Sequence, residues 1–206
     1  MTTAAAIREK LEQLPLVKPF TPALFAGLGS RAAIDQALLR LTRQGVVQRL
    51  TRGVYIRPKR SRFGFWALPS AWDVAQVLAQ QEGATLGTHG AKAAQVLGLS
   101  TQVPMQEIFL TTGAARRFNL GKLQVRLKPV AARKLVAAGT PVGLALAALW
   151  YLGKNEVTAA TFGRIQQRLS PQDFQGLVAH QRSMPGWMSD TLREYLQGAP
   201  SPTEHP

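Results

Sequence analysis

The sequence predicts an α+β fold in two parts, and three observations lead to that prediction. Basic residues are concentrated near the N-terminus, where positions 1–62 hold 12 Lys and Arg residues but only three Asp and Glu residues. This part shows helical patterns followed by two short β-branched runs. Beyond it, strand-like runs lie among helical ones, so we expect a mixed domain at 63–197 with a small antiparallel sheet and a C-terminal helical bundle.

The composition limits the function. The 206-residue chain has 25 Lys and Arg against 11 Asp and Glu, a net charge of +14, which favours a polyanionic partner such as nucleic acid or an anionic membrane surface. It has no cysteine, which excludes disulfides, thiolate zinc sites and cysteine nucleophiles. The N-terminus lacks a secretory pattern, and the apolar run at 141–153 is too short to span a bilayer. We therefore expect a cytoplasmic protein without a membrane partner.

Three helices are predicted within the basic N-terminal part. The first covers residues 3–14 and ends before a proline. Thr21 and the proline after it begin a second, short helix. Ser30 caps a third helix that extends to residue 44 and stops at Gly45.

A β-hairpin should follow these helices. The runs "VVQRL" and "VYIRP" are strand-like, and "TRG" between them fits a tight turn with Arg52 at its tip. Val54 and Ile56 alternate with Tyr55 and Arg57, which predicts one apolar and one polar face. Helix, short helix, longer helix and hairpin is the element order of a winged helix-turn-helix domain.

The third helix has the residue pattern of a DNA-recognition helix. At 100° per residue, its apolar side chains fall on one side, and Gln36, Arg40 and Arg43 lie opposite, where Arg and Gln would make bidentate contacts with bases. Leu39 falls near the same face and argues against this interpretation, whereas Asp35 at its flank is expected to orient a neighbour. The full set of predicted DNA contacts, including the helix start and the hairpin, is Ser30, Arg31, Gln36, Arg40, Arg43, Arg49, Arg52 and Tyr55.

The second part carries little chemistry of its own. We expect helices at 70–81, 89–97, 141–152, 158–169, 171–182 and 187–196, strands at 107–112, 116–120 and 122–130, and a disordered tail at 198–206. His89, His180 and His205 are not spaced as metal ligands, and the predicted sheet carries only Glu107 as an acid, although a nuclease needs several converging carboxylates. We expect no enzymatic activity, no cofactor and no metal.

Four stretches resemble the AbiEi-type antitoxins of type IV toxin–antitoxin systems, over about residues 6–196. They are "LGSRAAIDQALLRLTRQGVVQRLTRGVYIRP", "HGAKAAQVLGLSTQVPMQEIFLTTG", "LQVRLKPV" and "GWMSDTLREYL". The resemblance implies an N-terminal winged helix that binds inverted repeats in double-stranded DNA of its own promoter and represses transcription. It further implies a C-terminal domain that counteracts a nucleotidyltransferase-like toxin without a stable complex.

Other interpretations stay open at this point. The winged helix could dock a protein or RNA, or it could regulate transcription without any toxin. The oligomeric state does not follow from the sequence. A further group of cations either extends a basic track or is an ordinary solvated face: Arg116, Arg117, Arg126, Lys128, Arg133 and Lys134.

Overall fold

The computed structural model describes residues 2–62 and 64–198, and within them the chain is a mixture of helices and small sheets. This confirms the predicted α+β class. The α-helices are α1 Thr3–Glu12, α2 Arg31–Arg43, α3 Ala71–Gln81, α4 Gly90–Val96, α5 Pro141–Leu152, α6 Ala159–Arg168, α7 Pro171–Ala179 and α8 Gly186–Gly198. The strands are β1 Gln48–Thr51, β2 Val54–Ile56, β3 Leu86–Thr88, β4 Glu107–Thr111, β5 Arg116–Leu120 and β6 Leu123–Pro129. Short 3-10 helices occupy Pro22–Phe25, Ala132–Leu135 and His180–Ser183.

The strands form a two-stranded sheet, β1-β2, and a four-stranded sheet in the order β3-β4-β6-β5. The chain also divides into two compact units. The first extends to Ala84 and takes in Ala115–Leu127, and the second contains Thr85–Ala114 and the chain from Lys128 onward. The predicted domain boundary after residue 62 therefore falls inside the first unit.

Helices α1 and α2 of the first unit share a hydrophobic core with the segment between them. Ile7 and Leu11 of α1 are buried, as are Leu38 of α2 and Phe25 of the first 3-10 helix. The second predicted helix is a single 3-10 turn, Pro22–Phe25, in which the side chains of Pro22 and Phe25 are buried.

The β1–β2 hairpin is joined to this core by its second strand. Arg49 of β1 lies opposite Tyr55 of β2, and the backbone of Tyr55 also exchanges two hydrogen bonds of 2.9 Å with Phe20. All three residues of β2 are buried, so the predicted polar face of this strand is wrong. The reason is that Tyr55 joins the helical core while β2 also contacts α3, a helix that the local sequence of the hairpin does not reveal.

One arginine of the hairpin has a structural role. The Nη1 atom of Arg57 donates to the carbonyl oxygens of Glu12, at 2.9 Å, and Leu14, at 2.6 Å. These carbonyls lie at the end of α1 and just beyond it, where helix carbonyls lack partners within the helix. Arg57 therefore joins the strand to the end of α1.

The β5–β6 hairpin completes the first unit. Its strands are antiparallel, with Arg117 opposite Arg126 and Phe118 opposite Val125. Phe118 and Val125 are buried, whereas Arg117 is exposed. The guanidinium of Arg116 forms an ion pair with Glu82, which follows α3.

The second unit contains the antiparallel β3–β4 pair and helices α4 to α8, which share one hydrophobic core. The contact between α4 and α5 is close because Gly90 has no side chain. A Cβ atom at Gly90 would lie 2.3 Å from Cβ of Tyr151 and 2.5 Å from the Ala147 carbonyl oxygen. Among the described residues, no helix combines the length and hydropathy needed to cross a membrane.

The helices predicted for this unit are present with small shifts at their ends. The helix predicted at 171–182 ends as α7 at Ala179 and continues as a 3-10 helix, His180–Ser183. Gly198, predicted to begin the tail, is the last residue of α8. The rest of the predicted disordered tail, 199–206, lies outside the described residues.

Candidate nucleic-acid interface

Helix α2 is fixed at its start and along one side. The Ser30 hydroxyl oxygen accepts a hydrogen bond of 3.2 Å from the Ala33 amide, which is the N-cap predicted from the sequence. The apolar stripe predicted by the helical wheel is buried, and it consists of Ile34, Ala37, Leu38 and Leu41. The remaining surface of α2 carries its polar and charged side chains, of which all but the half-buried Thr42 are exposed, together with the exposed Leu39.

A groove of about 510 Å³ runs between this exposed surface and the β1–β2 hairpin. Six of its lining residues come from the first 3-10 helix and α2, and four come from the hairpin. They are Pro22, Arg31, Asp35, Gln36, Leu39 and Thr42, followed by Arg49, Arg52, Gly53 and Tyr55. We call this feature the α2–hairpin groove.

The charge of the α2–hairpin groove is positive, because three arginines line it together with one acid. Nε of Arg31 lies 3.0 Å from Oδ2 of Asp35, and both side chains are at least half exposed. This pair confirms the prediction that Asp35 orients a neighbour. Arg52 is exposed at the turn beside Gly53, whose φ of +78° suits a glycine.

Arg49 reaches the groove from the first strand of the hairpin. Its Nε donates to the Thr51 carbonyl oxygen at 3.3 Å, which orients the guanidinium along the strand. The remaining nitrogens are left for an external acceptor, since a guanidinium carries five donors. Two arginines therefore stand on the hairpin side of the groove and one on the helix side.

The structure divides the predicted face of α2. Gln36 lines the groove, but Arg40 and Arg43 do not, although both are exposed. At about 100° per residue, Arg40 lies about 140° around the helix from Asp35 and Arg43 about 80°. Arg43 thus stands beside the groove and Arg40 at the far edge of the exposed surface.

Tyr55 differs from its predicted position. It is only 9% exposed, and its ring stacks on Phe20 with the centroids 6.0 Å apart. Its place among the groove-lining residues is at the bottom rather than on an exposed polar face. Ser30 is not among the residues that line the groove. Its hydroxyl oxygen accepts the hydrogen bond that caps α2, and its O–H group can still donate to a ligand.

Among the groove residues that belong to α2, the predicted contacts do not include Leu39 and Thr42. Leu39 is 45% exposed, although an apolar residue near this face argues against an interface from the sequence alone. An apolar side chain on a recognition helix can contact a thymine methyl group, so its exposure is compatible with base recognition. The signal available in the sequence was the spacing of 35, 39 and 42, which falls on one side of a helix.

The histidines have local roles in the second unit. Nδ1 of His89 accepts from the Ala91 amide at the start of α4, and burial together with the charge of Lys128 lowers the pKa of His89. His180 contacts the Gly176 carbonyl oxygen at 2.8 Å, and His205 lies outside the described residues. Within residues 2–62 and 64–198, no three His, Asp or Glu side chains come together to hold a metal ion.

A protein family matches most of the chain. Residues 6–177 match the model of a family of unknown function (DUF6088). No curated protein matches the chain. No solved structure matches it either.

Proposed function

Because the chain belongs to the DUF6088 family, whose function is unknown, we propose a function from the chain's own residues: binding of double-stranded DNA by the first unit. In this proposal the first 62 residues form a winged helix-turn-helix domain, with α2 as the recognition helix and the β1–β2 hairpin as the wing. The α2–hairpin groove carries the proposal, since it places Gln36 of the helix beside Arg49 and Arg52 of the hairpin.

The chemistry of the groove suits a duplex. A recognition helix reads base edges in the major groove, where a Gln side chain pairs with adenine and an exposed leucine contacts thymine. Arg49 and Arg52 supply positive charge for phosphates or for the minor groove beside the helix. The net charge of +14 supplies the longer-range attraction to a polyanion.

The proposed contacts fall into two classes with different consequences. Gln36 is assigned to bases, so Gln36→Ala should reduce discrimination between sequences by about 1–3 kcal/mol for a bidentate contact. Arg49 and Arg52 are assigned to the backbone, so their removal should weaken binding to all sequences. The double variant should lower the slope of log affinity against log salt by about 1.8, since each phosphate contact contributes about 0.9.

The test is fluorescence anisotropy with labelled duplex from upstream of the coding sequence and with an unrelated duplex, between about 50 and 200 mM salt. Arg164→Ala is the control, because Arg164 is an exposed cation of α6 in the second unit. Wild-type affinity and slope in Arg49→Ala/Arg52→Ala would refute the interface. Stable capture of a protein partner with no DNA binding at low salt would favour the interaction-module alternative.

A narrower proposal adds the antitoxin role, and its support is the resemblance of the four stretches to AbiEi-type antitoxins. Under it, this protein represses its own operon as a cytoplasmic, non-enzymatic regulator and counteracts a nucleotidyltransferase-like toxin. Expression of the neighbouring gene alone should then arrest growth, and co-expression of this chain should restore it. Growth arrest that persists with both proteins, or no arrest at all, would refute the antitoxin role and leave DNA binding intact.

A further inference from the structure

The longest stretch of chain without an acidic residue lies between Glu107 and Glu156. It contains eight Lys and Arg residues and no Asp or Glu, and the β5–β6 hairpin lies within it. One face of this hairpin, which we call the arginine face, is not used by the proposed groove. It consists of Arg117, Asn119, Gln124 and Arg126.

The two arginines of this face lie directly opposite each other in the strand register. Like charges at such a position destabilise an antiparallel pair, because the side chains lie within about 5.5 Å at Cβ. The opposite face, with Phe118 and Val125, already supplies the buried apolar side chains that hold the hairpin. Folding alone therefore gives no reason for two arginines here.

Arg126 carries a donor without an acceptor. Its Nε atom is buried, and within the described part of the chain it makes no hydrogen bond. Its Nη2 atom lies 3.5 Å from Oε1 of Gln124, at the outer limit of a hydrogen bond. A buried donor left unpaired costs about 1–3 kcal/mol. The Arg126 side chain as a whole is only partly buried, so a bound anion would contact its exposed atoms.

The neighbouring arginine provides a comparison within the same hairpin. Arg116 shares the opposite face with Leu127, and Glu82 of the same unit neutralises it. None of the four residues of the arginine face is acidic. Arg116 thus has an acidic partner, whereas Arg117 and Arg126 lie opposite each other without one on their face. Their planar guanidinium groups suit a phosphate.

We propose that Arg117 and Arg126 form a second phosphate-binding site, which takes the sugar–phosphate backbone of the DNA bound at the α2–hairpin groove. The inference rests on the proposed function. The two hairpins belong to one compact unit, and β5 contacts β1, the strand that carries Arg49. The bound DNA therefore contacts the protein beyond the wing, and the additional contacts are independent of base sequence.

The first experiment measures salt dependence with the full chain. Arg117→Ala/Arg126→Ala should lower the slope of log affinity against log salt by about 1.8 on an unrelated duplex of about 30 base pairs. The control Arg164→Ala/Arg168→Ala removes the same charge from exposed positions of α6 and should change the slope much less. Arg117→Lys/Arg126→Lys keeps the charge but loses the planar fork, so affinity should fall with the slope nearly kept.

The outcomes separate this inference from the proposal beneath it. Equal slopes for the β5–β6 variant and the α6 control, with a reduced slope for Arg49→Ala/Arg52→Ala, would overturn the second site and keep the groove. A chain that binds no duplex at low salt would overturn both. Thermal stabilisation by inorganic phosphate that the alanine variant abolishes, with an unchanged DNA slope, would assign the site to free phosphate and overturn the DNA-backbone contact.

A folding control accompanies these measurements. The alanine variant removes a pair of like charges, so its melting temperature should equal or exceed that of the wild type. Native circular dichroism at the temperature of the binding assay establishes that an affinity loss reflects a lost contact. An affinity loss that disappears after correction for the unfolded fraction would count against the site.

Discussion

Two arginines of the same hairpin should respond in opposite ways to truncation. Arg57 donates two hydrogen bonds to carbonyl oxygens at the end of α1, whereas Arg52 is exposed at the turn. A hydrogen bond from a charged donor contributes about 1.5–3 kcal/mol, and the bond to Glu12 is the more exposed of the two. We therefore expect Arg57→Ala to lower the free energy of unfolding by about 2–3 kcal/mol and Arg52→Ala to change it by less than about 0.5 kcal/mol.

Urea denaturation followed by circular dichroism measures this difference. With a slope of about 2 kcal/mol per molar urea, the midpoint of Arg57→Ala should fall by about 1–1.5 M and that of Arg52→Ala should stay in place. Arg57→Lys is a matched control, since an ammonium group can still donate to one of the two carbonyls. DNA affinity should show the reverse order. Arg52→Ala should bind DNA more weakly than the wild type, whereas the folded molecules of Arg57→Ala should bind it with nearly wild-type affinity. Equal midpoints for both alanine variants would refute the division into a structural and a binding arginine.

Two further predictions concern the second unit. Gly90→Ala should lower the free energy of unfolding by at least about 2 kcal/mol in the same urea assay, because its new Cβ would lie 2.3 Å from Cβ of Tyr151. Gly186→Ala meets no atom within 4 Å and is the control; a neutral Gly90→Ala would contradict the close helix contact. The lowered pKa of His89, caused first by burial, means that the unfolded chain binds the proton more tightly than the folded one. Stability is therefore expected to be retained above the unfolded value of about 6.5 and to fall as the pH drops through it. His89→Asn keeps an acceptor for the Ala91 amide but does not titrate, so melting temperatures between about pH 5 and 8 should depend less on pH than in the wild type. An unchanged pH profile in His89→Asn would exclude this histidine as the cause.

Local patterns predicted the regular elements well. Helix α5 and strand β5 have the bounds expected from the sequence. A proline begins the helix, and a glycine follows the last residue of the strand. Strand β3 was missed because three residues, Leu86–Thr88, are too few to show alternation. Elements defined by a single turn or a short pairing depend on the rest of the fold and leave little periodic signal.

The candidate site was predictable in the same uneven way. The buried stripe of α2 follows from a local period of 3.6 residues, so the wheel placed it correctly. A helical wheel does not show which part of the exposed surface faces the hairpin. For this reason it did not predict that Leu39 lines the groove and that Arg40 does not. Tyr55 was misplaced for a related reason, because alternation predicts a polar face only where a strand has solvent on one side.

The burial of β2 on both sides has a consequence for how its hairpin would meet a ligand. A strand held between the helical core and α3, and bonded to Phe20, has already lost its backbone freedom on folding. Ordering the backbone of one residue costs about 1–2 kcal/mol, so a flexible loop at this position would weaken binding by several kcal/mol. This hairpin is already ordered in the free protein and avoids that cost. Association should consequently proceed without a slow rearrangement step, and rate constants measured at rising ligand concentration should increase linearly.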